Sequence, residues 1–254
     1  MNGEVLARRI EESGLNNMHT RRQLLYDGWL LFLLAGKAKR GRSVNAHFVS
    51  TLPLADKIAH CEELYARHGL PTLFRMTPFV QPEDLEPELE RRGYDDFDTT
   101  LVQAATLESP PVDSGNSHLQ IGAPLIEAFV EAVGDMRGSP ATQRAAHLER
   151  LAQSPLDVYP VVARRDGAPV GAGLLCIDRG LAGVFDVVTV TALHGQGIGT
   201  AVISALLTRA WERGVRHAFV QVTAYNAPAV ALYRRFGFAT VYTYHYRARP
   251  GECR

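Results

Sequence analysis

The chain has few cysteines. Cys61, Cys176 and Cys253 are odd in number, far apart and in no Cys-x-x-Cys pair, which argues against a disulfide framework or a zinc site. Nine histidines include no His-Glu-x-x-His spacing, so no metal is expected. No apolar run approaches the ~20 residues needed to cross a bilayer. The opening segment "MNGEVLARRIEESGLNN" mixes charges of both signs and has no apolar core of a secretory signal. The expectation is a cytoplasmic protein without a membrane partner. Formal net charge is zero, which points away from nucleic acid. Lysine is absent after Lys57. Residues 1–117 carry 13 Lys/Arg against 17 Asp/Glu, and residues 118–254 carry 14 against 10. This asymmetry suggests two units, the second mildly basic and suited to a small anionic ligand. The cluster "KAKRGR" (37–42) reads as a solvated hairpin loop, with phosphate contact as the alternative.

What is present falls into two halves. The stretch "ESPPVDSGNS" (108–117) has two prolines and no period, and reads as a linker. After it, apolar spacing predicts helices over 121–135 and 141–153. Two strands then surround Arg165-Asp166-Gly167 within 157–178, and a valine-rich strand covers 182–190. A helix over 200–213 stops at Gly214, and a strand follows at 216–224. A helix over 226–238 has Asn226 as N-cap and Pro228 in its first turn, and a last strand covers 239–249. The order implies an α/β (α+β) domain with a mixed sheet. The first half echoes the second. "CEELYARHGLPTLFRMT" (61–77) parallels "LTRAWERGVRHAFVQVT" (207–223), and "LEPELERRGYDDFDTTLV" (85–102) parallels "AVALYRRFGFATVYTYHY" (229–246). This order points to a tandem duplication, although any two αβ units share some likeness. Nothing before residue 61 resembles "HGQGIG".

The segment "VVTVTALHGQGIGTAVISALL" (187–207) sets three glycines between a strand and a helix. A helix N-terminus leaves backbone N–H groups unpaired, and glycines there admit phosphate oxygens closely. The dinucleotide fingerprint needs Gly-x-Gly-x-x-Gly near the first strand and a later acid. The nucleotide-hydrolase loop needs Gly-Lys-Ser/Thr. Neither pattern is met. A pyrophosphate cradle and a tight turn without a ligand both remain open.

"VTVTALHGQGIGTAVISALL" followed by "NAPAVALYRRFGF" resembles the GNAT superfamily of acyl-CoA N-acyltransferases over about residues 118–250. The whole chain resembles tandem proteins of that family. The resemblance implies a mixed, mostly antiparallel sheet flanked by helices. It assigns residues 1–107 to a degenerate copy without a cofactor site, 108–117 to a linker and 118–254 to the acetyltransferase domain. Acetyl-CoA is the implied cofactor. Its pyrophosphate would lie on Gly195, Gln196, Gly197, Ile198, Gly199 and Thr200, and its pantetheine arm along Val188, Thr189 and Val190 beside a splayed strand. The thioester carbonyl would meet the Val188 N–H. His194 stands where the family has arginine or glutamine, which lowers the charge offered to the pyrophosphate. Asn226 would approach the cofactor while capping its helix.

Two residues are candidates for chemistry. Tyr233 is protonated at neutral pH and could donate to the departing thiolate as general acid; it could equally be an amphipathic tyrosine on a packed helix. Asp186 lies two and four residues before Val188 and Val190, hence on their face of the strand. It could take the ammonium proton if burial raises its pKa or a water relays the proton, or it could be a carboxylate satisfied by local bonds. The implied activity is transfer of an acetyl group to an amine, of a small molecule or peptide, by direct attack in a ternary complex. An acyl-CoA-binding sensor or interaction module without turnover is the alternative. The acceptor is expected near 125–153 and 239–249, with Glu127, Glu131, Asp135 and Tyr242, Tyr244 and Tyr246. Oligomeric state stays open between monomer and homodimer.

Overall fold

A computed structural model describes residues 3–18, 20, 22–34, 38–111 and 118–252. In chain order the elements are α1 (Gly3–Asn16), β1 (Gln23–Tyr26), β2 (Trp29–Phe32), β3 (Val44–Ala46), α2 (Leu54–Arg67), β4 (Phe74–Met76), α3 (Leu85–Arg91), β5 (Asp95–Thr106) and β6 (Gln120–Gly122). There follow α4 (Ile126–Arg137), α5 (Ala141–Ala152), β7 (Asp157–Arg165), β8 (Ala168–Asp178), β9 (Leu181–Thr189), α6 (Ile198–Glu212), β10 (His217–Thr223), α7 (Ala227–Arg234) and β11 (Ala239–Ala248). Most of the linker read at 108–117 lies outside the described residues, as does Cys253. No described helix is long and apolar enough to cross a membrane.

The chain divides into two compact units, and neither is contiguous. One comprises residues 1–17 and 102–241, the other 18–101 and 242–254. This differs from a break at 108–117. The cause lies in the final strand of each αβαβ repeat. In the first unit the strands run β5-β10-β9-β8-β7-β6, so β5, the last strand of the first repeat, closes the sheet of the second. In the other unit they run β1-β2-β3-β4-β11, and β11 pairs antiparallel with β4, His245 opposite Met76. The pairs β9–β10 and β3–β4 are parallel, and the hairpins are antiparallel.

In the first unit, α6 buries Val202, Ile203, Leu206 and Leu207 at 1% exposure or less, the i, i+3, i+4 pattern of its sequence. Each contributes about 2 kcal/mol. Gly171 and Gly173 of β8 admit this helix closely: a Cβ on Gly173 would meet Leu206 at 2.8 Å. One sequence expectation fails here. Residues 121–135 are not one helix, because Gly122 and Pro124 interrupt it; Ile121 pairs with Ala163 in β6 and the helix begins at Ile126.

In the other unit the core gathers Trp29, Leu31, Ile58, Tyr65, Phe74 and Tyr94. Lys57 is fully buried, its Nζ 3.1 Å from Asp27 Oδ2 and 4.0 Å from the centroid of the Trp29 ring. The Asp27 carboxylate also accepts the N–H groups of Thr51 and Leu52 just before α2, at 2.9–3.0 Å. The "KAKRGR" segment is less solvated than its charge suggests: Lys39 is half-buried, bonded to Asp98 at 2.8 Å beside the Phe97 ring. Lys37 lies outside the described residues.

Candidate active site

The three glycines sit where α6 begins. Gly195 and Gly197 have φ of 79° and 77°, left-handed values that suit glycine. The first backbone bond of α6 runs from the Ala201 N–H to the Gly197 carbonyl at 3.0 Å. The N–H groups of Ile198, Gly199 and Thr200 therefore precede the helical ladder and are left for an anion. Residues 194–197 are exposed. Gly199 does a packing job as well: a Cβ there would meet Leu232 of α7 at 3.0 Å. One residue invisible to motif reading joins the loop. Arg165, at the end of β7, donates from Nη1 to Gln196 Oε1 at 2.7 Å, and its Nε is buried without a partner among the described residues. It brings a guanidinium charge to this loop.

The strand before the loop is splayed. β9 pairs with β10 only as far as Val184 opposite Val220. Beyond it, the β8 register slips between Ala172 and Leu174, and Asp186 takes φ of 52°, the signature of a bulge. Val187 and Thr189 lie beside Gly173 and Gly171 on the α6 side. Asp186 reaches the opposite side, toward α4 and α5, and strand alternation puts Val188, opposite Ala172, there too. The β9–β10 register thus runs only from Leu181 opposite His217 to Val184 opposite Val220.

Asp186 is held by three side chains. His147 Nε2 is 2.9 Å and Arg150 Nη2 3.3 Å from Oδ2, and Arg137 Nη1 is 3.1 Å from Oδ1. Burial pushes its pKa up, but the hydrogen bond from His147 and the charges of Arg150, His147 and Arg137 outweigh burial and hold it far below the carboxylate range. Burial does not make this group basic: the carboxylate stays ionised, with both oxygens engaged. His147 could not be singled out in the sequence, since α5 meets the bulge only through the fold.

Tyr233 of α7 is 5% exposed, its ring 5.8 Å from Phe238. Burial pushes its pKa up to about 12. Its hydroxyl has no hydrogen-bond partner among the described residues. Asn226 caps α7, accepting from the Ala229 N–H at 3.2 Å. Between α4 and α5 lies an open groove of about 510 Å³, lined by Glu131, Ser139, Arg144 and Leu148. Glu131 and Asp135 there are both paired to Arg144 at 2.7 Å. Tyr242, Tyr244 and Tyr246 are buried in the other unit, where Arg75 stacks on Tyr244 at 3.8 Å.

This arrangement can receive a pyrophosphate on bare backbone, an extended chain beside a splayed strand, and a leaving group near an unpartnered phenol. Residues 126–238 match the acetyltransferase (GNAT) family. A relative, the IAA acetyltransferase of Azospirillum brasilense, is 30% identical over 117 residues, 45% of this chain and 74% of its own length. An uncharacterized N-acetyltransferase of Bacillus subtilis, YobR, is 26% identical over 230 residues, 87% of this chain and 90% of its own. A solved GCN5-related N-acetyltransferase from Kribbella flavida superposes with a TM-score of 0.71 at 18% identity, covering 96% of this chain and 95% of that one.

Proposed function

This chain belongs to the GNAT family of acyl-CoA-dependent N-acetyltransferases, and from that premise we propose that it moves an acetyl group from acetyl-CoA to a primary amine by direct attack, at a single site beside α6. The observation that carries this reading is the left-handed Gly195-Gln196-Gly197 turn at the start of α6, next to the point where β9 leaves β10. Acetyl-CoA supplies a thioester, an acyl group already activated for attack by nitrogen.

The residues present fit that group. The N–H groups of 195–200 would hold the pyrophosphate, with His194 beside them and Arg165 adding a guanidinium. Val188, Thr189 and Val190 would line the pantetheine arm, and the Val188 N–H would polarise the acyl carbonyl. Asn226 fixes the start of the helix that presents Tyr233. Tyr233 would donate to the departing sulfur. With its pKa raised to about 12, against a thiol near 8.5 in water, it acts by hydrogen bonding more than by full proton transfer. The acceptor would enter beside α4 and α5.

The first half would bind no coenzyme A and is a degenerate copy of the same fold. The repeat's stop glycines, Gly69, Gly93, Gly214 and Gly237, all have positive φ between 65° and 79°, which supports one origin for both halves. At the start of α2, however, the loop N–H groups of Thr51 and Leu52 are already taken by Asp27. An internal carboxylate fills the place of an external phosphate.

The test is thiol release from acetyl-CoA against a panel of alkylamines, amino-acid esters and peptide N-termini. Release that depends on an added amine is the expected result. Tight acetyl-CoA binding with no amine-dependent release from any member would refute turnover.

A further inference from the structure

We infer that His147, oriented by Asp186, is the group that takes the proton from the attacking ammonium. This deepens the acetyl-transfer reading and rests on it. A primary ammonium with pKa near 10.4 is deprotonated in only about one molecule in a thousand or fewer at pH 7, so a base is required. The carboxylate next to the strand opening, Asp186, is unsuited: two guanidiniums and an imidazole hold it ionised, and both its oxygens are engaged. The imidazole facing it is suited.

An ionised carboxylate can only accept, so the 2.9 Å contact requires His147 to donate from Nε2. In the neutral ring the lone pair then lies on Nδ1. No hydrogen bond to Nδ1 occurs among the described residues. The ring also stands edge-on to Phe129, its centroid 6.1 Å away. The side chain is 16% exposed, so water or a substrate can reach it. This is the division of labour of a carboxylate–histidine pair: the acid sets the tautomer, and the imidazole moves the proton. The ring stands among charged groups from α4, α5 and β9. Arg137 of α4 and Arg150 of α5 already balance Asp186, with the neutral thiol of Cys176 from β8 nearby. Arg144, one turn before His147 on α5, is balanced by Glu131 and Asp135. Arg150 is further anchored by donating to the Asn17 carbonyl at 3.2 Å.

The proton balance is complete. One N–H proton of the ammonium passes to His147 Nδ1. The freed lone pair forms the N–C bond as the C–S bond breaks and its electron pair leaves on sulfur. The second nitrogen proton follows to the sulfur, with Tyr233 hydrogen-bonded to it, and His147 returns its proton to water. Asp186 is a positioning residue in this scheme and never changes protonation state.

The test compares wild type with His147→Gln, using the amine that gives the fastest thiol release in the panel. The expected outcome is a kcat lower by about 10² or more. The acid limb of the kcat/KM profile should vanish while calorimetric acetyl-CoA affinity stays within twofold. Added imidazole should restore part of the rate in His147→Ala. An unchanged kcat and profile in a folded His147→Gln would overturn the assignment alone. Absence of amine-dependent release from wild type would overturn the acetyl-transfer reading together with it. Should both variants fail to fold, the wild-type imidazole decides: its NMR titration midpoint must coincide with the acid limb of kcat/KM, and a clear mismatch overturns the proposal.

Discussion

Replacing Tyr233 with phenylalanine should separate stability from catalysis. The side chain is 5% exposed, and no hydrogen bond reaches its hydroxyl among the described residues; the oxygen is not sealed from solvent. Removing a hydroxyl that makes no bond within the protein should change the unfolding free energy by less than about 0.5 kcal/mol. Catalysis should change far more. A hydrogen bond to a charged acceptor contributes about 1.5–3 kcal/mol, and the departing sulfur is charged only as the C–S bond breaks. The loss should therefore appear in kcat, roughly 10- to 100-fold, with acetyl-CoA affinity unchanged. A larger loss is not expected, because full transfer from a phenol near pKa 12 to a thiolate runs uphill by roughly 5 kcal/mol. The assays are urea unfolding and single-turnover thiol release. An unaltered chemical step would return Tyr233 to a packing role. A stability loss well above 1 kcal/mol would mean the hydroxyl is satisfied, and the argument from its lack of a partner would fall.

The Asp186 cluster makes a pH prediction. Its folded pKa lies far below the unfolded value near 3.9, so its stabilisation is complete above about pH 5 and is lost progressively as pH falls below about 4. Asp186→Asn should cost about 3 kcal/mol at pH 7 by leaving Arg137 and Arg150 uncompensated, and the difference from wild type should shrink in acid; a difference that grows in acid would contradict the ion-pair account. Arg165→Gln should weaken acetyl-CoA binding about tenfold or more and flatten its salt dependence, while an unchanged salt slope would remove Arg165 from the phosphate site. Residues 118–254 expressed alone should fail to melt cooperatively, because they lack α1 and the 102–106 portion of β5. The missing contacts include the Leu107 N–H to Arg216 carbonyl bond and the Asn16–Asp178 and Asn17–Cys176 contacts; a cooperative melt from that fragment would show these to be dispensable.

The parts of the site that were legible in the sequence depend on local rules. Gly195 and Gly197 mark a turn because φ near +80° suits glycine, and α6 announces itself by apolar residues three and four apart. Asn226, Pro228 and Gly237 bracket α7 by capping chemistry. What the sequence left hidden is tertiary. His147 is 39 residues from Asp186, and Arg165 is 31 residues from Gln196; each meets its partner through an α5 or hairpin placement that no spacing encodes. The bulge at Asp186 is equally silent, since "FDVVTV" reads as an ordinary strand. The exchange of β5 and β11 is not encoded locally, for a related reason. The two strands end equivalent repeats and carry similar local patterns, so nothing within either strand says which sheet it will close.

The claim on which the rest depends is a single coenzyme A site at the start of α6. Calorimetric titration of the full chain with acetyl-CoA, in parallel with Gly197→Asp, tests it most directly. Aspartate tolerates left-handed backbone better than most residues, so the variant should keep its fold while placing a side chain and a negative charge in the cradle. The account predicts one equivalent bound per wild-type chain and none in the variant, with matching circular dichroism. Two equivalents in wild type, or one retained by the variant, would contradict it.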